Sequence, residues 1–226
     1  MTGEPHCAVG VPNVGPFGDP LLLVELAVAA EEHGWDGFFV WDHLLYHDQR
    51  WDVADPVTVI AAVAARLDES LGLLDALWSG EPVTMRGQYL TAAGVRMLPR
   101  PVQRPRIPIW CGGRWPSKAP FRRAARWDGV MPTHAGYGLG QTMPPGELRA
   151  VVQYTRQHRT GDGPFDVILE GRTDGAAPGR GAGQVAPYLE AGLTWWIEAL
   201  GWWRGSPQDA MNRVRQGPPA LTRHQP

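Results

Sequence analysis

The passage from Ala8 to Trp41 constrains the fold most. Ala8-Val9-Gly10-Val11-Pro12 is a short apolar run with the length of a buried strand. Turn formers fill Asn13 to Gly18, and Asp19-Pro20 is a helix start, with an acid at the cap and proline at the first helical position. Leu22, Leu23, Leu26, Ala27 and Ala30 then recur at helical spacing, and Gly34 closes the helix. Gly37 to Trp41 is apolar again. A strand, a helix and a second strand in this order form a crossover unit, which makes the two strands parallel. Asp42 and His43 follow directly, at the strand end where parallel α/β folds keep their ligands and chemistry.

The same alternation continues. Pro56 opens a helical pattern that runs unusually far, to Ser79-Gly80, with Val57, Ile60, Ala61, Ala64, Leu67, Leu71, Leu74, Leu77 and Trp78 on one face. Gly87–Leu90 and Val95–Leu98 are expected as an irregular hairpin, and a proline-studded connector follows. Further strands are expected at Ile107–Cys111, Gly129–Met131, Phe165–Leu169 and Leu193–Glu198. Helices are expected at about 116–126, 146–159, 182–191 and 206–215, the last with a serine cap. The expectation is an α/β protein with about six parallel strands, a TIM-barrel-like (β/α) fold. G-x-G-x-x-G is missing after the first strand, which disfavours a dinucleotide-binding domain of the doubly wound type.

Composition narrows the function. The net charge of −2 and the lack of basic runs argue against nucleic acid, and no apolar stretch reaches membrane-spanning length. The first residues lack the pattern of a secretory signal, and Cys7 and Cys111 form no metal or redox motif, so a reduced, cytoplasmic protein is expected. His43 and His47 are four apart and Asp48 follows, but the segment reads as loop with no HExxH motif or third ligand cluster, and no metal is expected.

Several segments, in order, are similar to the luciferase-like monooxygenase family of flavin- or F420-dependent oxidoreductases. They are Val11-Pro12-Asn13, Ala29–His43, Leu67–Gly80, Arg106–Gly113, Ala124–Pro132 and Glu190–Glu198. The resemblance implies FMN or F420 as cofactor, a small-molecule substrate, and hydride transfer or flavin-supported monooxygenation. Its motifs lean toward the actinobacterial F420-type branch. It further implies Asp42 and His43 at the reactive edge of the ring, as catalytic residues. A neutral imidazole suits the proton that accompanies a hydride. The plain alternative is a turn-capping aspartate beside a polar histidine.

The resemblance places the cofactor phosphate at Gly112-Gly113-Arg114, where glycines and a helix start present amides to an anion. Otherwise the glycines form a simple turn. Trp41 and Asn13 are expected to border the cofactor. His134 and Trp196 are expected to line the substrate pocket, against the alternatives of a solvated loop histidine and a barrel-filling tryptophan.

One departure is large. Ala64-Ala65 runs straight into Arg66-Leu67-Asp68. In the family a third strand, its helix and a fourth strand intervene there. At roughly 30 residues per unit, about two βα units are missing, and the overlong helix is what such a junction produces. Residues 1–226 are therefore expected as a single barrel domain lacking strands 3 and 4, incomplete or distorted. Barrel closure links strand number, tilt and shear, so the gap must be reclosed, covered by 81–106, or covered by a second subunit in a homodimer. The alternative function is a catalytically silent, shortened relative that acts as a ligand-binding or interaction protein.

Overall fold

The computed structural model describes residues 5–12, 15–17, 20–40, 68–138, 140–175 and 178–221. The chain forms two compact units, Met1–Tyr46 with Ile109–Pro226, and His47–Pro108.

In the first unit, β1 (His6–Val11), α1 (Pro20–Glu32) and β2 (Gly37–Val40) realise the crossover expected from sequence. The second unit holds α2 (68–78), β3 (Val83–Arg86) and β4 (Thr91–Val95). The first unit then resumes with β5 (Trp110–Trp115), α3 (Ala119–Ala124), β6 (Gly129–His134), α4 (Pro145–Gln157) and β7 (Asp166–Gly171). It ends with α5 (Pro178–Glu190), β8 (Trp195–Ala199) and α6 (Pro207–Arg215). No helix among the described residues is long and apolar enough to cross a membrane.

The six strands of the first unit are all parallel, in the order β2-β1-β8-β7-β6-β5. This is the expected TIM-barrel-like α/β arrangement with six strands. Among the described residues, β2 and β5 each have one strand partner, so the barrel is not closed by backbone pairing.

Side chains join the two edges instead. Successive residues of a strand point to opposite faces. On the inner face, Ala8, Ile168 and Ile197 are buried, with Phe39, Trp110, Met131 and Trp195 packed against them. Phe39 of β2 stacks on Trp110 of β5 at 5.7 Å between ring centroids, and Trp195 of β8 contacts both, at 6.2 and 5.4 Å. The Trp110 indole also donates to Asp166 Oδ2 at 3.2 Å. Large rings thus bridge the two edge strands of the sheet.

The other face carries the helices. Cys7, Val9 and Val11 of β1 pack on Phe17, Leu26, Ala29, Ala30 and Trp35, and on Met211 and Val214 of α6. The Trp35 indole donates to the Val214 carbonyl at 3.0 Å and ties the helical layer to the strand that follows α1. A Trp-Asp-Gly triplet enters both β2 and β6, at Trp35-Asp36-Gly37 and Trp127-Asp128-Gly129. Both aspartates make the same two-way clamp. The Asp36 carboxylate accepts the Cys7 amide at 2.7 Å while its own amide donates to the Cys7 carbonyl at 2.8 Å. Asp128 does the same to Ile109, at 2.7 and 3.0 Å. Each clamp sets the register of a strand against its parallel neighbour.

The hairpin of the second unit is displaced from its expected position. Gly87–Leu90, expected as a strand, is the turn between β3 and β4. The Glu69 carboxylate of α2 accepts the amides of Gln88, Tyr89 and Leu90 at 2.7–2.9 Å. Three amides committed to one carboxylate cannot serve a ladder. The long helix expected from Pro56 is described only from residue 68, and the proposed junction near Ala64–Leu67 lies outside the described residues.

Candidate functional site at the strand ends

The C-terminal ends of the parallel strands form one edge of the sheet. Of the expected site residues, Asn13, Trp41, Asp42 and His43 lie outside the described residues, as does His47. The others can be placed.

Gly112, Gly113 and Arg114 do not form a loop. They lie within β5, opposite Met131, Pro132 and Thr133 of β6, and α3 starts only at Ala119. The ladder with β6 carries the strand past the glycines to Trp115. The two glycines do different work. A Cβ on Gly113 would stand 2.7 Å from Pro120 and 3.2 Å from Phe121, so this glycine lets α3 pack on the strand. A Cβ on Gly112 would meet nothing closer than the Met131 carbonyl, at 3.9 Å. Gly112 thus leaves open space on the inner face. Arg114 shares that face and is exposed, with one guanidinium N–H on the Ala135 carbonyl at 3.3 Å.

His134 ends β6 and turns the other way. Its Nε2 stands 3.7 Å from Glu147 of α4, and its Nδ1 accepts the Gly136 amide at 2.9 Å. The same Glu147 accepts the Trp115 indole N–H at 2.9 Å. His134 therefore joins β6 to α4, and Thr133 is the β6 residue that shares the inner face with Met131.

Trp196 is also on the helix side. It is 2% exposed, contacts Tyr188 of α5 at 5.4 Å, and occupies the space that a Cβ on Gly171 would need. Trp195 is the inner-face tryptophan of β8, stacked on His6 at 4.4 Å. The structure thus brings Gly112, Arg114 and Thr133 to the inner face, and keeps Gly113, His134 and Trp196 against helices.

Beside Trp196, Glu198 is wholly buried. Its carboxylate accepts the Thr173 amide at 3.0 Å, the Thr173 hydroxyl at 2.6 Å and Arg204 Nη1 at 2.6 Å, and pairs with Arg213 Nη2 at 3.4 Å. With the Trp196 indole N–H donating at 3.4 Å, two cations and three neutral donors surround the carboxylate and satisfy it fully. Sequence reasoning placed Glu198 at the end of the last expected strand and missed its partners. The available signal was the run Trp202-Trp203-Arg204-Gly205-Ser206 after the last strand, ahead of the Ser206–Asp209 capping box. Cys7 lies near this cluster. Burial pushes its thiol up to about 12, and Asp36 and Glu198 push the same way, so it supplies no thiolate at neutral pH.

Residues 64–143 match the family model "Luciferase-like monooxygenase". Among solved structures, two of similar fold are an F420-dependent secondary alcohol dehydrogenase in complex with an F420-acetone adduct, and the coenzyme F420 dependent tetrahydromethanopterin reductase from Methanopyrus kandleri. Both superpose with a TM-score of 0.62 at 12% identity. The first covers 98% of this chain and 100% of its own, the second 96% and 99%. No curated protein gives a significant match. The chain is thus similar to the luciferase-like monooxygenase family over residues 64–143, and its parallel sheet is similar in fold to the two solved structures.

Proposed function

We propose that the chain is an F420- or FMN-dependent oxidoreductase that exchanges a hydride with a small organic substrate. The observation that carries this reading is the open inner face at Gly112, beside the exposed Arg114, at the strand ends of a luciferase-like fold. A planar ring system needs close approach to backbone, and Gly112 permits it where any side chain would intrude. Arg114 supplies a charged donor for a phosphate group. When bound, the cofactor supplies the hydride acceptor or donor. Gly112 and Arg114 hold it, and Gly113 keeps β5 and α3 close enough to fix both. Asn13 and Trp41 are assigned to the cofactor border. His43, beside Asp42, is assigned the proton that accompanies the hydride, on the strength of its place in the sequence, three residues after Val40, and the family resemblance. His134 and Trp196 are assigned to the support of the substrate side, through Glu147 and Tyr188.

The two solved structures of similar fold make F420 the first cofactor to test and a secondary alcohol the first substrate. A second reading, a silent shortened relative, is favoured by β2 and β5, each of which is paired on one side only among the described residues. Anaerobic incubation with oxidised F420 and a panel of small secondary alcohols separates the two, followed by the loss of the cofactor's visible absorbance. Protein-dependent reduction that disappears in His43→Ala supports the enzyme. No reduction of F420 or FMN with any alcohol supports the silent relative.

A further inference from the structure

A cavity of about 80 Å³ opens where β7 and β8 end and α6 begins, lined by Arg172, Arg204, Gly205, Ser206, Asp209 and Arg213 among others. At roughly 30 Å³ per liquid water, it holds two or three waters or one phosphate-sized group.

Its walls are cationic and rigidly held. Arg213 is 7% exposed and is fixed by Thr173 Oγ1 at 2.7 Å and the Gly217 carbonyl at 2.8 Å. Arg204 gives Nη1 to Glu198 and to the Ala199 carbonyl at 2.8 Å. The buried Glu198 carboxylate balances one of these two charges. Asp209 is the one acid in the lining, and its Oδ2 already accepts the Ser206 amide and hydroxyl, at 2.8 and 2.7 Å. Arg172 stands exposed on the rim, and among the described residues it makes no hydrogen bond or ion pair. Three guanidinium groups against Glu198 and Asp209 leave a net positive cleft with one uncommitted arginine. Arginine's planar fork suits oxyanions. Loops after the last two strands of a barrel, with a helix start beside them, are also a common place for phosphate.

We infer that this cleft binds the anionic group, phosphate or carboxylate, of the substrate, with Arg172 closing on it. The substrate assignment rests on the oxidoreductase reading, but the anion site does not. The cleft lies three strand spacings from β5, about 14 Å, so an anchored substrate extends along the sheet edge toward Gly112 and Arg114.

The test is calorimetric titration of the full chain with inorganic phosphate at constant ionic strength, against chloride. Saturable one-to-one binding is expected, weakened about tenfold in Arg172→Ala, which removes no hydrogen bond or ion pair among the described residues. Absence of binding above the chloride control overturns the site, as does unchanged affinity in Arg172→Ala with circular dichroism showing an intact fold. A second arm repeats the titration with F420 at saturation. Phosphate affinity unchanged within twofold is expected for a substrate site. Displacement of phosphate by F420 assigns the cleft to the cofactor and overturns the substrate assignment. If F420 itself fails to bind, the oxidoreductase reading falls while the phosphate titration still decides the cleft.

Discussion

Trp110 is where the two edge strands of the sheet meet, and removing it gives the sharpest test of that closure. The side chain is half-buried, stacks on Phe39 and Trp195, and donates to Asp166. A tryptophan buries roughly 150–250 Å², worth about 4–6 kcal/mol at ~25 cal/mol per Å². Partial exposure lowers this to about 3 kcal/mol, and the lost hydrogen bond adds about 1 kcal/mol. Trp110→Ala is therefore expected to cost about 4 kcal/mol, within the usual range for deleting a large aromatic. Trp110→Phe keeps a ring but loses the bond to Asp166, and is expected to cost about 1–2 kcal/mol. The decisive quantity is coupling. In a double-mutant cycle with Phe39→Ala, urea unfolding followed by far-ultraviolet circular dichroism should give an interaction energy of about 0.5–1.5 kcal/mol. Additivity within about 0.3 kcal/mol would mean that β2 and β5 do not meet through these rings, and the account of closure would fail.

Three further outcomes follow from the same structure. Glu198→Gln should destabilise by about 3–5 kcal/mol, because it strands two arginines at a buried site, and a urea midpoint within error of the native protein would contradict this. Gly113→Ala should cost about 1–3 kcal/mol through contact with Pro120 and Phe121, whereas Gly112→Ala should unfold like the native chain, and equal behaviour of the two in thermal melts would refute their separate roles. Desolvation alone would raise the Glu69 carboxyl, but the amides of Tyr89, Leu90 and Gln88 outweigh it and hold it below the ordinary glutamate range. A depressed native value means that the turn's support is present at neutral pH and is lost as pH falls through that native value. The protection of amides 88–90, measured against their intrinsic exchange, should fall as acidification passes through that native value, and Glu69→Gln should abolish the pH dependence.

The crossover architecture was legible because hydrophobic period, proline-initiated helices and glycine stops agree along the chain. Six parallel strands and the Ser206 cap follow from those signals alone. Errors arose where a distant partner decides. Gly87–Leu90 has the composition of a strand, yet Glu69, about twenty residues earlier, takes its amides. Gly112-Gly113 has the composition of a turn, yet pairing with β6 carries the strand through it. Trp196 was expected in the substrate pocket, but strand alternation does not say which of Trp195 and Trp196 faces the interior. That depends on the small residues opposite: Gly171 makes room for Trp196 on the helix side. The Trp-Asp-Gly repeat was readable as a repeated strand entry, but its clamp geometry depends on the neighbouring strand. The edge cleft drew its arginines from three separate segments, and no local pattern links them.

Cofactor binding tests the central claim most directly. Titration of the folded chain with F420 and with FMN, followed by fluorescence or calorimetry, should show one saturable site at micromolar concentration, about −8 kcal/mol, for at least one of them. Gly112→Val, which fills the open space on the inner face while leaving the fold intact, should weaken it at least tenfold. Failure of both cofactors to bind at high micromolar concentration, with the fold intact, would contradict the oxidoreductase reading.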